Sequence, residues 1–114
     1  MEDTPIFLRG TIPFTGAGYD SPVLLPGMAY TVPSSRRCQT IYFRAGNSCD
    51  EMIVLVMLRD GKVMRYFPIG AKAASHVQLA VVEDIEPDQK IELSVAAPAG
   101  VGGTVVVDLG LIEI

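Results

Sequence analysis

Apolar residues along the chain recur with a period of two or in short continuous runs, and never at i, i+3, i+4 and i+7 over the stretch of about a dozen residues that a helix needs. Proline, glycine and Asp-Gly punctuation cuts the chain into pieces rich in Val, Ile, Thr, Tyr and Phe, so the pattern predicts strands over 6–14, 28–32, 37–45, 52–58, 63–69, 76–83, 91–97 and 104–114. Pro13 removes a ladder donor, which places the first strand at a sheet edge. Asp60-Gly61 lies between two apolar runs and predicts a two-residue hairpin, because a type I′ turn needs positive φ at both central positions. Residues 15–27, with three glycines and two prolines, read as a long irregular connection of the kind that usually carries interactions. About eight short strands with no crossover helix predict an all-β, single-domain antiparallel β-sandwich spanning 1–114, of jelly-roll or immunoglobulin-like type.

One part of the pattern conflicts with a simple sandwich. Met52 to Leu58 is apolar at every position, and "TVVVDLGLIEI" at 104–114 is apolar on both faces. A strand in a two-layer sandwich has one core face, so its outer face should be polar. Burying an aliphatic side chain is worth about 1.5–3 kcal/mol, and an exposed patch of this size is unusual in a monomer. Something is therefore expected to cover the second face: another copy of the chain, a larger subunit, or the 15–27 segment folded back. The outward residues of the hairpin, taken as Met52, Val54, Val56, Met64 and Tyr66, with Arg44 and Arg65 at the rim, are the expected partner-binding surface, since interfaces favour aromatics, Met and Arg.

Composition narrows the partners. With 114 residues, 49% of them hydrophobic, the chain can bury a core of its own. Nine basic against 13 acidic residues give a net charge of −4, with no basic stripe to grip nucleic acid. No apolar run is long enough to span a bilayer. The acidic start "MEDTPIFLRG" lacks the pattern of a secretory signal, so a cytoplasmic location is expected. Cys38 and Cys49 sit 11 positions apart on one extended segment and read as packed, reduced thiols.

Candidate chemistry is sparse. The single histidine, His76, rules out a two-histidine copper site, and Cys38, Cys49 and His76 lack zinc-ligand spacing, so no metal or cofactor is expected. Glu83, Asp84, Glu86 and Asp88 could hold calcium only as a flexible loop, without the alternating acids of an EF-hand; a solvated turn is the simpler expectation. No serine lies in a GxSxG turn, and Asp50 and Glu51 are adjacent on an extended segment and point apart, so no catalytic residue is expected. The leading expectation is a non-enzymatic β-sandwich acting through protein contacts, as a homo-oligomeric structural unit or an accessory subunit. The alternative is a lectin-like module for carbohydrate or a small ligand. In that case, with no tryptophan, Tyr19, Tyr30, Tyr42, Tyr66 or Phe67 must supply the platform. Tyr42 and Arg44, which share a strand face, are then the binding pair.

Overall fold

In the computed structural model, which describes residues 3–79 and 83–114, Asp60 and Gly61 have φ of 51° and 80°. The turn is thus the one its sequence requires. It joins β4 (Ile53–Arg59) to β5 (Lys62–Ile69) with Arg59 opposite Lys62. The other strands are β1 (Thr4–Thr15), β2 (Val23–Thr31), β3 (Cys38–Asn47), β6 (Ala74–Gln78), β7 (Asp84–Ile85), β8 (Lys90–Ala96) and β9 (Gly102–Glu113). The first sheet runs β1-β9-β3-β6, with β7 also paired to β3, and the second runs β2-β8-β4-β5.

Setting aside the two-residue β7, the pairings are nested. The β4–β5 hairpin is the tip, and β3–β6, β2–β8 and β1–β9 follow outward, all antiparallel. That is a ribbon doubled back and wrapped into two sheets, the jelly-roll form of the two expected sandwiches. β1 is an edge strand, as Pro13 demands. Two expected boundaries move. Residues 23–27 belong to β2, where an irregularity between Leu24 and Ala29 accommodates Pro26 and Gly27, so the connection before it shrinks to 16–22. The strand expected over 76–83 is β6, Ala74–Gln78, and its residues 80–82 lie outside the described residues.

The core forms where the inward faces meet. Phe43 of β3 and Phe67 of β5 stack across the two sheets, centroids 3.9 Å apart and planes 8° from parallel. Offset aromatic pairs add about 0.5–1.5 kcal/mol beyond the area they bury. Ile53, Leu55 and Met57 of β4 join this core with Leu109 of β9. No described segment is a helix, and none could cross a membrane as one.

The chain itself covers part of the second apolar face. The 16–22 segment is tied to the β8–β9 connection, the Gly16 amide donating to the Val101 carbonyl (2.7 Å) and the Gly18 amide to that of Ala97 (2.8 Å). It then crosses the second sheet, where the Tyr19 hydroxyl donates to the Met52 carbonyl (2.7 Å). Tyr19 and Pro22 face Val54, Val56, Tyr66 and Ala96 across a depression of about 340 Å³. Of the coverings considered, the folded-back segment is therefore present.

One end of the sandwich is closed by a polar cluster between sheets. The Tyr30 hydroxyl of β2 donates to Glu113 Oε2 of β9, and Arg36 pairs with the same carboxylate at 3.6 Å. Burial, then the Glu113 hydrogen bond and charge, raises Tyr30 well above the usual phenol range. Burial, with Glu113 second, pushes the neighbouring Cys38 thiol up to about 11. Both groups are neutral when protonated and hold their protons more tightly folded than unfolded. The Cys38 contribution is complete below the ordinary thiol value of about 9 and is lost as pH rises through about 11, whereas that of Tyr30 is complete below the ordinary phenol value and persists to higher pH. Urea midpoints should accordingly fall between pH 9 and 11, and Cys38→Ala should flatten that fall; a midpoint unchanged over this range would contradict the cluster. At the hairpin tip, Gly61→Val should lower stability by about 1–2 kcal/mol in urea denaturation, because a side chain at this φ meets the following carbonyl.

Candidate functional site

The site is created by a single extra residue in β3. Its register against β9 shifts between Thr40 and Tyr42, so Ile41 is unpaired and the alternation of faces is reset. Cys38 and Thr40 point inward and are fully buried, whereas Tyr42 and Arg44 point out from the first sheet. Tyr42 and Arg44 thus share a face, as their spacing predicts, and Cys38 and Thr40 lie on the opposite one.

Tyr42 lies opposite Gly110. A Cβ on Gly110 would stand 2.1 Å from ring atom Cε2 and 2.6 Å from Cδ2 and Cζ. The ring therefore lies over the bare backbone of β9, in the space a side chain would take. Its hydroxyl donates to Asp108 Oδ1 (2.9 Å), and Arg44 Nη2 donates to Oδ2 of the same carboxylate (3.0 Å). The Arg44 guanidinium is 5.1 Å from the Tyr42 ring centroid. His76 of β6, paired with Arg44, meets Tyr42 edge-on at 6.5 Å and 85°. Two shallow depressions of about 550 and 540 Å³ adjoin at Arg44 and His76; one includes Tyr42, Ile41 and Gln78, the other Val106 and Asp108.

β1 repeats this arrangement on the other side of β9. Phe7 is the second neighbour of Gly110, and Arg9 the second neighbour of Asp108. Phe7 is 43% exposed, and the Arg9 guanidinium lies 4.8 Å from its centroid. One row across the sheet reads Phe7, Gly110, Tyr42, Gln78, and the next reads Arg9, Asp108, Arg44, His76. Alternation along single strands does not single out Phe7, Arg9, Asp108 or Gly110. Their signal was the twice-repeated aromatic–apolar–Arg, Phe7-Leu8-Arg9 and Tyr42-Phe43-Arg44, together with a glycine inside a strand.

Of the expected partner-binding residues, Val54, Val56 and Tyr66 line the depression beneath the 16–22 segment, and the others do not join them there. Met52 and Tyr66 are 43% and 66% exposed, but Val56 is only 1% exposed, buried on the face that the 16–22 segment crosses. Val54 is half-buried, and Met64 packs against the core because β5 is irregular where it pairs with Met57 and Leu58. Arg65 pairs with Glu83 at 3.2 Å. Arg44 belongs to the other sheet and does not rim the hairpin. Three of the four acids considered for calcium have other partners: Glu83 with Arg59 and Arg65, Asp84 with Arg37 and Gln39, Asp88 with the Ser34 hydroxyl.

No protein-family model and no curated protein matches the sequence. Solved structures do share the fold. The CBM36-1 domain of a multidomain xylanase from the hindgut metagenome of Trinervitermes trinervoides aligns with a TM-score of 0.62 at 18% identity, over 96% of each chain. A carbohydrate-binding module CBM36 in complex with calcium and xylotriose aligns at 0.59 and 15%, over 94% of this chain and 97% of that one. The infectious bursal disease virus VP2 subviral particle aligns at 0.51 and 10%, over 98% of this chain and 32% of that one. Likenesses at this identity establish the sandwich. Among the described residues no three His, Cys, Asp or Glu side chains converge on one point.

Gly110→Ala should force the Tyr42 ring off the sheet and cost about 1–3 kcal/mol by overpacking, read from urea denaturation. Combined with Tyr42→Ala, the loss should be smaller than the sum of the two single losses, and strict additivity would disprove the contact.

Proposed function

We propose that this protein is a non-catalytic carbohydrate-binding module whose glycan lies on the outer face of the first sheet. The observation that carries the reading is the Tyr42 ring, laid on Gly110 and anchored through its hydroxyl to Asp108. A pyranose presents an apolar C–H face and a rim of hydroxyls. A fixed aromatic plane matches the first, and Arg44, Asp108, His76 and Gln78 around it match the second. Fixing the ring in advance avoids the ordering cost that a free side chain would incur on binding. The two CBM36 neighbours support this reading through their shared fold. Affinity electrophoresis against soluble polysaccharides tests it: Tyr42→Ala should weaken retention at least about tenfold, the loss of roughly 1.4 kcal/mol, with the circular dichroism unchanged. Equal retention of the variant would end the proposal.

A second reading, contact with another protein, is favoured by apolar residues of the second sheet that the 16–22 segment leaves open to solvent, Leu24 on β2 and Val63 and Tyr66 on β5, which are 54%, 49% and 66% exposed. Light scattering at micromolar concentration distinguishes it from the first: a dimer or larger assembly that Tyr66→Ser dissolves supports it, and a strict monomer opposes it.

A further inference from the structure

We infer that the ligand of this face is an anionic glycan, carrying carboxylate or sulfate groups, held across β1, β9 and β3 with Arg9 as the residue that reads the charge. The inference rests on the carbohydrate reading and narrows it.

The first observation is the balance of charge. The two central rows of the face hold Arg9 and Arg44 against one acid, Asp108, in a chain whose net charge is −4. Asp108 is already engaged, one oxygen by Tyr42 and the other by Arg44. The other arginines all pair with acids: Arg36 with Glu113, Arg37 with Asp84, Arg59 and Arg65 with Glu83. Among the described residues Arg9 is the arginine with no acidic partner.

The second observation is that the groups left for a ligand are mostly donors. Arg9 offers its whole guanidinium fork and Arg44 its remaining N–H groups, while the Gln78 amide both donates and accepts. Neutral sugar hydroxyls both donate and accept and are met by Asp108, His76 and Gln78, which leaves the guanidinium of Arg9 in excess. Carboxylate and sulfate accept only, and a guanidinium fork holds such a group through two parallel hydrogen bonds.

The third observation is placement. The Phe7 ring lies against the Arg9 guanidinium at 4.8 Å, which limits the orientations the fork can take. Phe7 and Tyr42 flank β9 at one strand spacing each, so their strands are roughly 10 Å apart, and the Tyr42 ring reaches in over β9 toward Phe7. One sugar stacked on each ring would bring a charged substituent between them over the Arg9–Asp108–Arg44 row.

Isothermal titration of the intact protein tests this with polygalacturonate, the same polymer after carboxyl reduction, dextran sulfate, dextran and a single-stranded DNA oligonucleotide. The expected result is binding of polygalacturonate or dextran sulfate at least about tenfold tighter than its uncharged counterpart, the tighter of the two identifying the group. Arg9→Gln, at an exposed edge position, should erase about tenfold of that affinity and leave the neutral polymers within about twofold, since hydrogen bonds between ionised partners are the stronger ones. Equal affinity for charged and neutral polymers, or an Arg9→Gln variant that keeps its preference, would overturn the inference and leave the carbohydrate reading standing. DNA bound as tightly as the charged glycans would overturn it too, by reducing the face to a general polyanion site. Failure to bind any glycan would overturn both.

Discussion

The whole fold hangs on the register set at Asp60-Gly61. The turn fixes which residue of β4 faces which of β5, and every outer pairing of the ribbon is nested around that hairpin. A slip of one residue in a strand would exchange its buried and exposed sets. Leu55 and Phe67 would leave the core together, and the stack of Phe67 on Phe43 that joins the sheets would be lost. The same rule makes the candidate site possible. β3 undergoes such a slip at Ile41, so its first half serves the core with Cys38 and Thr40, while its second half divides between Phe43 inside and Tyr42 and Arg44 outside.

The two sheets use their outer faces differently. On the second, the apolar side chains that invite a partner are partly served by the chain's own 16–22 segment, pinned by backbone hydrogen bonds at one end and by Tyr19 over Met52 at the other. On the first, aromatic rings are paired with arginines, one of them over a bare glycine. An apolar surface is satisfied in the first case and presented in the second. A count of hydrophobic residues along either strand does not separate the two.

Features that depend on local chemistry were legible in the sequence. The hairpin turn, the edge position of β1 and the face shared by Tyr42 and Arg44 follow from Asp60-Gly61, Pro13 and simple alternation. The choice between sandwich topologies was not legible, because it lies in pairings as distant as Thr4 with Glu113. The start of β2 was hidden because Pro26 and Gly27 read as loop, although they occupy an irregularity inside a strand. Nor does any glycine or proline mark the extra residue at Ile41. Arg44 was grouped with the hairpin because the sequence does not show which sheet β3 joins. Phe7, Arg9 and Asp108 share a face with Tyr42 and Arg44 only because β9 lies between β1 and β3, a pairing that no local signal announces.

Gly110 shows where the constraint on such a surface resides. It is buried beneath a ring, has no side chain to offer and would touch no ligand. It nonetheless decides whether Tyr42 can lie down. The residue with least freedom to drift during evolution would then be one that no inventory of ligand contacts would contain, and a recognition surface of this kind would be traced in other chains by a vacancy opposite an aromatic rather than by the aromatic alone.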